Sequence, residues 1–101
     1  MEITDQDISD FIKSEGKFTY TRAEPSPPFY FDPNKGDVWE YSIEIFGIDV
    51  WFQAQSIYHS QHILDEIRDN LIKAMISNCR EKISKIVRRE KNINYLLNGK
   101  N

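Results

Sequence analysis

The pattern of apolar and polar positions is sharpest between Val38 and about Lys91. From Trp39 the chain alternates. Trp39, Tyr41, Ile43 and Ile45 share one parity, and Glu40, Ser42 and Glu44 share the other, the period-two signature of a half-buried strand. Gly47 interrupts the run. A two-residue turn at Phe46 and Gly47 pairs Ile45 with Ile48, Ile43 with Val50, Tyr41 with Phe52 and Trp39 with Ala54, and every pair is apolar. The opposite face then sets Glu44 against Asp49, Ser42 against Trp51 and Glu40 against Gln53. A one-residue slip mixes the two sets, so the register is well specified. The weak point is Phe46, because a type I′ turn needs positive φ at both central residues. A longer turn with Gly47 alone in the left-handed region is the alternative.

After the hairpin the period changes. Ser56 is placed as an N-cap, and Ile57, Leu64, Ile67, Leu71, Met75, Cys79, Ile83 and Ile86 recur at helical spacing, with no Gly or Pro between Ile48 and Asn98. An unbroken helix to Lys91 would measure roughly 54 Å at about 1.5 Å per residue, which is long for a chain of this size. The apolar stripe also drifts, from Ile63, Ile67 and Leu71 to Ile72, Ile76, Cys79 and Ile83. Asn78 with Glu81 three residues on has the form of a capping box, so the helix either runs through or breaks there. Ile93, Leu96 and Leu97 extend the stripe, and Gly99 stops it.

Before the hairpin, Thr4 and Asp7 resemble a capping box, with Ile3 and Ile8 as a hydrophobic staple. A short helix follows, with Ile8, Phe11 and Ile12 on its apolar edge and Gly16 as its C-terminal cap. Phe18 and Tyr20 alternate with Thr19 and Thr21 between Lys17 and Ala23, which reads as a strand. Glu24-Pro25-Ser26-Pro27-Pro28 is an extended connection. Phe29-Tyr30-Phe31 adds a brief strand before the turn-like run Asp32 to Asp37. The expected fold is α+β: an N-terminal helix, an antiparallel sheet of three to four strands with a central hairpin, and a long C-terminal helix, continuous or broken, packed on one sheet face.

Length makes this one domain, residues 1–101, burying about 65% of its extended-chain surface. No apolar run approaches the roughly 20 residues that span a bilayer. The acidic start Met1-Glu2-Ile3-Thr4-Asp5 lacks the basic-then-apolar pattern of a secretory signal, so the expected location is cytoplasmic. Cys79 is the one cysteine; it forms no intrachain disulfide and reads as a small core residue. The net charge of -3 hides an asymmetry, with residues 1–78 at -8 and residues 79–101 at +5. Abundant Ile, Lys and Asn beside scarce Ala suggest an AT-rich or mobile gene, of bacterial or phage type.

Candidate chemistry is sparse. His59, His62 and Glu66 stand three and four apart, a spacing at which two histidines can chelate a metal from one helix face. Asp69 and Lys73 share that side, which makes it read as a solvated polar face, and no metal is assigned. No serine has the Gly-rich elbow of a hydrolase, and no Gly-rich loop is built to cradle a phosphate. The chain is therefore expected to be neither an enzyme nor a cofactor protein. Arg80, Lys82, Lys85, Arg88, Arg89 and Lys91 are suited to phosphates, but they spread around the helix, Glu81 and Glu90 interrupt them, and the rest of the chain is acidic. A solvated helix end, or contact with the protein's own acidic face, is the preferred account of them.

The outer face of the hairpin is the more suggestive surface. Glu40, Glu44 and Asp49 point the same way as Trp51, with Phe46 at the tip. Facing carboxylates at Glu44 and Asp49 are unfavourable, and aromatic residues in acidic surroundings suit a basic partner. Burial of Trp51 under the first helix or under Phe29 to Phe31 is the competing reading. The expected function is a small acidic protein-binding module, a stoichiometric inhibitor such as an immunity protein or antitoxin that covers a basic site on a toxin or other effector. A homodimer paired through the long helix or a sheet edge is the alternative, and nucleic-acid binding through the basic helix stands behind both.

Overall fold

The computed structural model describes residues 3–97. It has the expected α+β form: α1 (Asp5–Glu15), β1 (Lys17–Arg22), β2 (Asp37–Ile45), β3 (Ile48–Ser56) and α2 (Gln61–Leu97). Thr4 starts α1 through a complete capping box: its hydroxyl accepts from the Asp7 amide at 3.1 Å, and the Asp7 carboxylate accepts from the Thr4 amide at 3.0 Å. Ile3 and Ile8 are both buried beside it. Gly16 ends the helix by donating its N–H to the Ile12 carbonyl at 2.8 Å. Its backbone is extended (φ -74°), not left-handed. Glycine is required there by space, since a Cβ would sit 2.6 Å from the Ile12 carbonyl oxygen.

The three strands form one antiparallel sheet in the order β1-β2-β3. The hairpin register is the one the alternation predicts, with Ile45 on Ile48, Tyr41 on Phe52 and Glu44 on Asp49. The two-residue turn is adopted at the difficult residue too: Phe46 has φ 49° and Gly47 φ 79°. Phe29 to Phe31 is not a fourth strand. Three nearby prolines lack the amides a ladder needs, and side chains of β3 hold this segment instead. Gln53 accepts from the Ser26 amide and donates to the Glu24 carbonyl; Gln55 accepts from the Asp32 amide and donates to the carbonyls of Asp32 and Gly36. Strand pairing of Asp37 with Ser56 carries β3 through Ser56, so Ser56 is not the N-cap of α2. Ser60 takes that role, its hydroxyl accepting from the Ile63 amide at 3.2 Å.

α2 is kinked. Cys79, not Asn78, is the residue with non-helical torsions (φ -131°, ψ 24°). The kink re-aims the drifting stripe: Leu71, Ile72 and Met75 before it and Ile83 and Val87 after it are all buried in the same core as Ile8, Ile12, Tyr41, Ile43, Ile45 and Ile48. α1 lies antiparallel along α2, with Asp5 paired to Arg80 at one end and Lys13 3.8 Å from Asp69 at the other. A helix of this length sets the shape. The extents are 57 × 25 × 19 Å and the radius of gyration 16.5 Å, against about 13 Å for a compact chain of similar length. No described helix is long and apolar enough to cross a membrane. The stop assigned to Gly99 lies outside the described residues.

Candidate protein-interaction face

The inner face of the sheet packs on the helices, which leaves the outer face to present side chains. Antiparallel register places them in rows: Lys17, Glu44 and Asp49 nearest the turn, then Thr19, Ser42 and Trp51, then Thr21, Glu40 and Gln53. Thr19 and Ser42 bond across the middle row at 2.9 Å. The structure thus brings Glu40, Glu44, Asp49 and Trp51 onto one surface. Phe46 is set apart at the tip, 61% exposed, and stacks on Phe11 of α1 at 6.2 Å.

Trp51 is 52% exposed, so burial beneath another element is not its fate. One side of its ring borders Ser26, Pro27, Pro28 and Phe29, leaving a notch of about 230 Å³ that Gln53 closes. The segment held by Gln53 and Gln55 covers the far half of the outer face, where Val38 is buried and Glu40 half-buried. The half near the turn stays open, and Glu44 and Asp49 are exposed there. Lys17 lies across from Glu44 on the side away from Asp49, so the carboxylate pair is not wholly uncompensated, a correction to the two-strand picture. Among the described residues, none of Glu40, Glu44 and Asp49 forms an ion pair.

Other features sort themselves differently from the sequence reading. His59 precedes α2 and does not share a helix face with His62. Its Nε2 is 2.8 Å from the Tyr41 hydroxyl, and its ring sits 4.6 Å from Trp39 and 4.8 Å from Tyr20. This aromatic cluster closes the far end of the inner sheet face. Burial pushes the Tyr41 phenol above its ordinary value. The parity of Tyr20, Trp39 and Tyr41 was a signal for the rings, but nothing in the local sequence pointed to His59 joining them. His62 remains exposed, 3.9 Å from Glu66, and no group of three or more ligating side chains is assembled among the described residues.

The basic half of α2 is partly occupied by the protein's own acids. Arg80 pairs with Asp5, and Lys91 reaches Asp7 at 3.2 Å. The Thr4 amide, with Lys91, holds the Asp7 carboxyl below its ordinary value. A groove of about 670 Å³ runs between α1 and α2, lined by both signs of charge, including Asp5, Lys13, Asp69, Lys73 and Arg80. No protein-family model, curated protein or solved structure matches this chain.

Proposed function

We propose that this chain is a non-catalytic protein-binding module, a stoichiometric inhibitor of the immunity-protein or antitoxin type, and that its open outer sheet face takes a partner with a basic surface. The observation that carries the reading is the grouping of Glu44 and Asp49, both free of ion pairs among the described residues, around a half-exposed Trp51. Tryptophan is enriched among the residues that carry interface binding energy, and surrounding carboxylates speed encounter with a basic target. Phe46 extends the surface at its tip, and Glu40 borders it from under the proline-rich segment.

Affinity capture from cells expressing the neighbouring genes tests this, with wild type and a Glu44→Lys, Trp51→Ala double variant as parallel baits. The expected result is one stoichiometric basic partner that the folded variant loses, with affinity falling at least about 30-fold, the effect of removing one hot spot. Equal capture by both baits, or no stoichiometric partner with either, sinks the proposal.

A further inference from the structure

β3 is an edge strand that, among the described residues, the proline-rich segment meets through glutamine side chains and not through a backbone ladder. Natural sheets blunt their edges with lysine, proline, bulges or short strands. β1, the other edge, is six residues long and carries Lys17 and Arg22 at its ends. β3 is nine residues long, pairs with β2 without a bulge, and contains no Pro, Lys or Arg.

The hairpin fixes which backbone groups are free. Residues flanking a two-residue turn form a hydrogen-bonded pair, and such pairs alternate along an antiparallel ladder. Ile45 with Ile48, Ile43 with Val50, Tyr41 with Phe52 and Trp39 with Ala54 are therefore bonded within the sheet. The Ala23 amide bonds the Val38 carbonyl at 3.0 Å, which confirms that the even-numbered residues of β2 turn toward β1. Asp49, Trp51, Gln53 and Gln55 consequently direct their N–H and C=O groups outward from the edge.

We infer that β3 pairs with β3 of a second copy, antiparallel about a two-fold axis at Phe52, to form a continuous six-stranded sheet. That centring sets Asp49 opposite Gln55 of the second copy and Trp51 opposite Gln53, so that every outward backbone group of these residues finds a partner. It also sets Phe52 against its own copy and Val50 against Ala54 on the inner face. No like charges meet. Sliding the pair toward the turn removes bonds and brings Asp49 onto its own copy, so the register is self-selecting. The pairing is argued from the strand edge alone and does not rest on the reading that a basic protein binds the outer face; it sets Trp51 and Asp49 beside the glutamine-held segment of the second copy.

Sedimentation over a concentration series reaching the sub-millimolar range tests it. The wild type is expected at twice the 12.0 kDa chain mass. Trp51→Pro, which removes an outward amide that the monomer does not use, is expected to halve that mass. A monomeric wild type overturns the inference, as does a dimer that a folded Trp51→Pro variant retains. Should that variant not fold, oxidation of Phe52→Cys and Asp49→Cys, each with Cys79→Ser, decides. The two-fold pair at Phe52 crosslinks, whereas copies of Asp49 are about 20 Å apart along the strands and do not. Equal crosslinking at both positions, or none at Phe52, overturns the register.

Discussion

Phe46 is the one non-glycine residue with a left-handed φ among the described residues. A left-handed φ of 49° costs a residue with a Cβ about 1 to 2 kcal/mol, and its stacking on Phe11 returns about 0.5 to 1.5 kcal/mol. Those terms nearly cancel. Phe46→Asn, which suits the turn but loses the ring, is therefore expected to leave stability within about 1 kcal/mol of wild type in denaturant unfolding. Phe11→Ala leaves the strain and removes the ring contact, so it is expected to be the more destabilising of the two. A loss above about 2 kcal/mol for Phe46→Asn would mean that the ring itself holds the turn. Asp7 gives a second test at this scale. Its folded carboxyl titrates below the ordinary value, chiefly through the Thr4 amide and then Lys91. Its contribution is thus present above the unfolded value of about 4 and is lost as pH falls through the lower folded value. Thermal melts of Asp7→Asn should lie below wild type at neutral pH and converge with it in acid; a gap that persists unchanged in acid contradicts the assignment.

At the scale of elements, the connection from β1 to β2 owes its position to two side chains. Gln53 and Gln55 satisfy backbone groups of a segment whose prolines leave it no ladder of its own. Replacing both with Ala removes several hydrogen bonds worth about 1 kcal/mol each, and the freed segment should open before the rest of the fold. Limited trypsin digestion reads this directly: cleavage after the exposed Lys35 is expected to accelerate severalfold while α2 stays protected. An unchanged cleavage rate would show that other contacts hold the segment. The kinked helix is tied into the core on both sides of Cys79. Met75→Ala and Ile83→Ala, both at fully buried positions, are each expected to cost about 2 to 5 kcal/mol. A small effect at Ile83 alone would mean that the second half of α2 folds as an independent extension.

Across the whole molecule, charge is divided between an acidic body and a basic helix end, and the division is partly resolved inside the fold. Asp5 with Arg80 and Asp7 with Lys91 lay the start of α1 on the far half of α2, while Lys13 approaches Asp69 nearer its beginning. Partly exposed pairs of this kind contribute about 0 to 1 kcal/mol each and are screened by salt. Molar salt is therefore expected to lower the melting temperature by only a few degrees, and a collapse in salt would mean that the pairs, not the apolar core, hold α1 in place. The same pairing engages Arg80 and Lys91 with the protein's own acids, so a phosphate at either base would compete with Asp5 or Asp7.

The alternation around Gly47 determined the hairpin, its register and hence the membership of the outer face, because a period of two leaves one way to bury Tyr41, Ile43 and Ile45 together. Thr4, Asp7 and the spacing of Ile8 and Ile12 determined α1 just as locally, since a cap acts within one turn. The start of α2 at Gln61, the kink at Cys79 and the absence of a strand at Phe29 to Phe31 were decided by tertiary structure. Pairing of Asp37 with Ser56 drew the would-be cap into the sheet, burial of Ile83 and Val87 in the same core as Met75 required a change of helix direction, and glutamines distant in sequence claimed the backbone of the proline-rich segment. Lys17 beside Glu44 and His59 among Tyr20, Trp39 and Tyr41 are likewise contacts between separate elements. A one-dimensional pattern records which face a residue takes, and only packing decides which neighbours that face meets.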